Sequence, residues 1–243
     1  MEHTPKQYTR HTLVVNFFGG PSTGKSTWSA GLFFKLKLAD INVELLPEFA
    51  KELTWREDFD TLSYDQEYVI AKQIRRQRTV LGKVDVCITD SPILFGLVYG
   101  RHCSENWQQG IVDTFNTFDN LNIFIERDVE KYQYQPEGRR QKLEQSIAID
   151  NAIKDVFTEL NIPFQTIKIN GMETLDQLES LVMERLGVEV PEYTITDEDM
   201  VAVFGTLFVE KCKDVIVSHC DHYNSKFWNI VANVCDTLIK KLG

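Results

Sequence analysis

The sequence predicts an α/β protein: a doubly wound, parallel, five-stranded sheet with helices on both faces, followed by a C-terminal helical appendage. Three observations predict it. Apolar runs alternate with stretches of helical periodicity from about residue 13 to residue 186, the pattern of strands joined by helical crossovers. The runs have strand length and the stretches between them helix length. Beyond Gly187 the alternation stops.

Taken in order, Leu13 to Phe18 is the first strand, and Ser26 to Leu38 is helical with Leu32, Leu36 and Ala39 on one side. Ile41 to Leu46 is the second strand and ends at Pro47-Glu48. Leu62 to Leu81 reads as one long helix, whose last turns carry Arg75, Arg76 and Arg78 at the negative end of the dipole. Val84 to Thr89 is the third strand, closed by Asp90-Ser91-Pro92. Trp107 to Phe118 is helical and Leu121 to Ile125 the fourth strand. Leu143, Ile147, Ile153, Val156, Phe157 and Leu160 recur at helical spacing over Leu143 to Leu160. Phe164 to Ile169 is the fifth strand and Thr174 to Leu186 another amphipathic helix. Residues 188–196, with Pro191, read as a linker. A helix start at Thr196-Asp197-Glu198-Asp199 opens the extension 197–243, in which Met200 to Asp221 and Ser225 to Leu242 form two helices. Residues 1–10 are a flexible lead-in, so the expected domain is 11–187.

The totals bound the function. A chain of 243 residues, 43% hydrophobic, suits one α/β domain with a small appendage. No segment approaches the about 20 consecutive apolar residues that span a bilayer, and the polar N-terminus has no signal-peptide core. No membrane partner is expected. The cysteines Cys87, Cys103, Cys212, Cys220 and Cys235 are scattered without a CxxC pair, which points to a reducing cytoplasm. A formal charge of −10 disfavours a broad grip on nucleic acid.

The chemistry is concentrated at Gly19-Gly20-Pro21-Ser22-Thr23-Gly24-Lys25-Ser26, followed by Thr27. It matches G-x-x-x-x-G-K-[ST] and sits between a strand and a helix, the context of a phosphate-binding loop. Gly19 and Gly24 permit backbone angles and close approach that a Cβ prevents. Successive N–H groups form an anion nest at the positive end of the helix. Lys25 is placed for the β/γ-phosphates and the Ser26 hydroxyl for Mg²⁺. The ligand is therefore a nucleoside triphosphate, ATP or GTP, and the chain a P-loop NTPase.

Other loops at the same sheet edge decide where the γ-phosphate goes. Asp90 ends the third strand and suits Mg²⁺, directly or through water. Glu48 ends the second strand, over the same crevice, and is suited to take a proton from an attacking hydroxyl. The segment from Glu126 to Arg140, with Gly138, Arg139, Arg140, Tyr132 and Tyr134, reads as a lid whose arginines stabilise transition-state charge.

GGPSTGKS, LLPEFAKEL, DQEYVIAKQ, ITDSP and YQYQPEGRRQ, in this order, resemble the nicotinamide-riboside kinase domain of bacterial NAD-biosynthesis proteins. They equally resemble the stand-alone, often phage-encoded, kinases filed as AAA-type ATP-binding proteins. The resemblance spans residues 11 to 187. It implies Glu48 as the substrate-side carboxylate, Asp90 as the metal-side acid, Arg139 and Arg140 as lid arginines, and Gln73 and Arg76 near the acceptor pocket. No adenylyltransferase domain precedes the kinase-like part, so the bifunctional NAD enzyme is not expected, nor is a remodelling motor.

The expected activity is an ATP- and Mg²⁺-dependent kinase acting on a hydroxyl of a nucleoside, nucleotide or related small molecule, in the cytoplasm (the host's, if phage-encoded). Tyr132 and Tyr134 are candidates to stack on a base. A variant phosphorylates a 5-hydroxymethyl pyrimidine in DNA, with Arg75, Arg76, Arg78 and Lys83 as a local track against the overall acidity. An alternative from another class is an NTP-hydrolysing switch or assembly ATPase acting on a protein partner. In the extension, Val231, Val234, Cys235, Leu238 and Leu242 form an apolar stripe suited to core packing, a dimer contact or a wall of the acceptor site. His219, Cys220, Asp221, His222 and Cys212 do not reproduce zinc spacings.

Overall fold

A computed structural model describes residues 11–129 and 142–190, all within the unit Met1–Val190. The strands β1 (Leu13–Phe18), β2 (Val43–Leu46), β3 (Val86–Thr89), β4 (Asp119–Glu126) and β5 (Gln165–Lys168) form one sheet. Its order is β2-β3-β1-β4-β5, and every neighbouring pair is parallel. The helices among the described residues are α1 (Lys25–Leu38), α2 (Phe49–Trp55), α3 (Phe59–Tyr64), α4 (Gln66–Val80), α5 (Phe95–Tyr99), α6 (Glu105–Phe115), α7 (Leu143–Glu159) and α8 (Glu173–Leu186). The five-stranded, doubly wound fold is therefore the one the sequence predicts.

Strand β1 is buried at every position because it is central. Its alternate residues feed two cores. Leu13, Val15 and Phe17 pack with Leu32 and Leu36 of α1 and Leu175, Leu178 and Val182 of α8. On the opposite face, Phe18 packs with Ile70, Phe95, Ile111, Phe115, Ile153 and Phe157. Covering both faces is what lets a parallel sheet keep its backbone out of water.

Several elements differ from the sequence expectation. The helix expected over 62–81 is two, α3 and α4, parted at Asp65. That residue leaves the helical region (φ −125°, ψ 54°), and its carboxylate accepts the Tyr68 N–H at 3.2 Å. A capping aspartate restarts the chain more cheaply than it continues it. Ser104 does the same for α6, accepting from the Trp107 N–H at 3.3 Å, so that helix begins before residue 107. The short helices α2 and α5 fall in stretches too brief to show a period. In α7, Leu143 and Ile147 are exposed, as is Leu160 just past its end, and the buried face is Ser146, Asp150, Ile153, Val156 and Phe157. Two polar residues thus stand where the apolar stripe was expected. Helix α8 ends at Gly187, in the left-handed region at φ 66°.

Among the described residues no helix is long and apolar enough to cross a membrane. Cys87 and Cys103 are free and buried, and burial pushes their thiols up to about 12 and about 11 respectively. The linker from residue 191, the extension with its histidine and cysteine candidates, the N-terminal lead-in and the lid residues Tyr132, Tyr134, Arg139 and Arg140 lie outside the described residues.

Candidate active site

Strand register brings the candidate residues to one edge. Leu46 of β2 is level with Thr89 of β3, Thr89 with Asn16 of β1, and Asn16 with Asn122 of β4. Because the strands are parallel, Glu48, Asp90 and Gly19 all emerge just past the same carboxyl ends, where doubly wound sheets open their crevice.

The loop between β1 and α1 has the shape its composition requires. Gly19 (φ 138°) and Gly24 (φ 88°) occupy backbone regions that side chains avoid. A Cβ on Gly19 would lie 2.7 Å from Thr23 Oγ1. Ser22 adopts φ 64°, a left-handed turn inside the loop that helps the main chain reverse. No side chain caps the start of α1, which leaves its first N–H groups to an anion. The Lys25 ammonium donates to the carbonyls of Gly19 at 2.7 Å and Gly20 at 2.9 Å. Burial depresses its pKa below the usual 10.5; Glu48, Asp90 and Asp150 pull it back up and Arg127 adds to the depression. A buried cation whose hydrogen bonds go to neutral carbonyls is a site suited to receive negative charge.

Opposite the loop, the Ser26 hydroxyl donates to Asp90 Oδ2 at 2.6 Å. Asp90 is buried, and its Oδ1 has no hydrogen-bond partner among the described residues. The donors here are all hard oxygens. An orphaned carboxylate oxygen beside a hydroxyl fits Mg²⁺, which binds through one or two protein oxygens plus phosphates and water. No cluster of three or more His, Cys, Asp or Glu suited to a metal occurs among the described residues.

On the acceptor side, Glu48 is half-buried and precedes α2, with φ −63°, ψ 124° and no side-chain capping bond. Its charge reaches Lys25. Arg76 braces the same corner: its guanidinium donates to Pro47 O at 2.9 Å and Glu52 Oε2 at 3.0 Å, and stands 5.1 Å from the centre of the Phe49 ring. Gln73 is buried on α4, its Nε2 donating to Thr89 Oγ1 at 3.2 Å while its Oε1 has no partner among the described residues. Gly20, Pro21, Thr23 and Thr27 lie within the loop or its helix, and Thr23 Oγ1 closes onto Gly20 O at 3.0 Å.

Two residues here escape reading from the sequence. Arg127, just after β4, donates from Nε to Asp150 Oδ2 at 2.7 Å and from Nη2 to Pro21 O at 2.8 Å. Asp150 Oδ1 in turn accepts the Gly20 N–H at 2.5 Å. A charged residue on the inner face of α7 was the available signal, but only the packing shows what faces it.

Residues 14–174 match the model of a family described as AAA domain. No curated protein matches the chain. Solved structures with a related chain path include thymidylate kinase from Ehrlichia chaffeensis, 15% identical with a TM-score of 0.48, covering 72% of this chain and 99% of that one. Another is deoxyadenosine kinase from M. mycoides with bound dATP, 17% identical with a TM-score of 0.43, covering 72% of this chain and 99% of that one.

Proposed function

The chain belongs to the AAA domain family, and on that premise we propose that it is a P-loop phosphotransferase. It moves the γ-phosphoryl group of ATP, or GTP, to a hydroxyl of a nucleoside, nucleotide or related small molecule. One observation carries the reading. Two carboxylates stand at adjacent strand ends and both bias the buried Lys25 ammonium, yet Asp90 is the one that takes the Ser26 hydroxyl. Glu48 follows the end of β2, beside β3, where a hydrolase has less use for a second acid.

The roles follow from position. Loop amides and the Lys25 ammonium neutralise the β- and γ-phosphates, the ammonium leaving the Gly19 and Gly20 carbonyls to do so. Ser26 and Asp90 would hold Mg²⁺, which when bound draws charge from the β- and γ-oxygens. Glu48 orients the acceptor hydroxyl and receives its proton as the hydroxyl oxygen bonds to the γ-phosphorus. The bond from that phosphorus to the β–γ bridging oxygen breaks, and ADP leaves. Gln73 offers its carbonyl oxygen on the acceptor side. Arg139 and Arg140 are assigned to the γ-phosphoryl oxygens, and Tyr132 and Tyr134 to the acceptor, on the motif resemblance alone.

An ADP-release screen with Mg²⁺ tests this reading across nucleosides, nucleotides, nicotinamide riboside and 5-hydroxymethyl pyrimidine DNA. We expect slow hydrolysis alone and strong stimulation by one acceptor class. Steady hydrolysis that no acceptor accelerates would defeat it and favour the switch or assembly ATPase.

A further inference from the structure

The P-loop pattern leaves the position of Gly20 open to any residue, but this fold does not. A Cβ there would lie 2.5 Å from the Ser146 carbonyl oxygen, 2.9 Å from Asp150 Oδ1 and 3.1 Å from Arg127 Nη2. The first is backbone and cannot step aside. Something on α7 and after β4 therefore grips the loop at a point the motif does not specify.

We propose that Arg127 and Asp150 are positioning residues: a buried ion pair that holds Gly20 and Pro21 in the phosphate-receiving shape and so sets the affinity for the nucleotide. This inference rests on the nucleotide site proposed above. The carbonyls of Gly19, Gly20 and Pro21 and the Gly20 N–H all have partners within the protein. The Gly19 and Gly20 carbonyls accept from Lys25. The Gly20 carbonyl also accepts from Thr23. The Gly20 N–H goes to Asp150, and the Pro21 carbonyl accepts from Arg127. Pro21 has no N–H to satisfy.

One consequence is that the Gly20 N–H is unavailable to phosphate, so the nest is made from residue 22 onward. A second concerns the loaded state. When the Lys25 ammonium moves to the phosphates, the Gly19 and Gly20 carbonyls lose their strongest donor. The Asp150 and Arg127 contacts are then what holds the loop open rather than letting it close on itself.

An ion pair suits the task where an apolar pair does not. It presents an acceptor to one peptide N–H and a donor to the next carbonyl, and each charge neutralises the other. Side-chain exposures of 9% for Arg127 and 10% for Asp150 keep both contacts out of competition with water. Removing one member strands the other as a buried charge and frees a loop peptide group together.

Titration calorimetry with ATP on the full chain tests the proposal for Asp150→Asn, Arg127→Gln, the double variant and Arg127→Lys. Each is measured well below its melting temperature, so that only folded protein is compared. Each single neutralisation is expected to weaken ATP binding roughly tenfold to a hundredfold. The double variant should bind no worse than the poorer single, because the two act as a unit. Arg127→Lys keeps the charge and the fold but cannot bridge Asp150 and Pro21 with one planar fork, and should lose at least about fivefold. Melting shifts with wild-type affinity throughout, or single losses that multiply in the double variant, would overturn the proposal. If the wild-type protein binds neither ATP nor GTP, the nucleotide site itself is misread and this inference falls with it. Wild-type binding alongside unaffected variants sinks the inference alone.

Discussion

Glu48→Gln is the substitution that most directly interrogates the proposed chemistry. The amide is isosteric with the carboxylate, and the Glu48 side chain makes no capping hydrogen bond to α2. The Pro47–Phe49 corner is held independently by Arg76, through Pro47 O at 2.9 Å and the Phe49 ring at 5.1 Å. Fold and corner should both survive. ATP binding should move little, because two effects oppose each other. Loss of the anion removes one group that favours charged Lys25, but it also removes repulsion toward the incoming phosphates. The effect on turnover has no such offset. A positioned general base is worth about 10²- to 10⁴-fold, which is about 2.7 to 5.4 kcal/mol of barrier. Single-turnover phosphoryl transfer at saturating ATP and acceptor measures it, with a thermal melt and ATP titration alongside. Transfer within about tenfold of wild type, at unchanged melting temperature, would show that Glu48 takes no proton in the rate-determining step.

Arg76→Gln removes the brace rather than the base: we expect a stability loss of about 1–2 kcal/mol by urea unfolding and a raised acceptor KM with ATP affinity unchanged. Across the molecule, Lys35 of α1 is tied to Asp176 and, at 2.6 Å, to Glu179 of α8, with side-chain exposures of 9% for Lys35 and 2% for Glu179. Glu179→Gln leaves a lysine without its buried partner and should cost about 3 kcal/mol in the same assay. Burial lowers the Lys35 pKa, but hydrogen bonds to the two carboxylates outweigh it and raise the value above 10.5. The folded state therefore holds this proton more tightly than the unfolded one. The resulting stability is complete below the unfolded pKa of about 10.5 and is lost as pH rises through the higher folded value. Stability measured from pH 9 upward, a range placed around that roughly 10.5 value, should decline more steeply in the wild type than in Glu179→Gln.

The sequence alone determined which segments are strand and which are helix wherever burial imposed an unbroken apolar run, as in Leu13–Phe18, or a helical period, as on the Leu32 and Leu36 side of α1. It also determined the loop from Gly19 to Thr27, because phosphate geometry dictates residue types at fixed local spacing. Those features are short-range, and short-range physics is written residue by residue. Helix breaks at Asp65 and starts at Ser104 were equally local but stood inside stronger apolar patterns that masked them. The tertiary structure decided what depends on distant segments meeting: the strand order that sets Glu48 and Asp90 side by side, Arg76 bracing a corner 29 positions away, and Asp150 reaching a glycine 130 positions earlier. Contacts of that kind leave no periodic trace, since a lone aspartate on an apolar helix face looks the same whether it meets water or a phosphate loop.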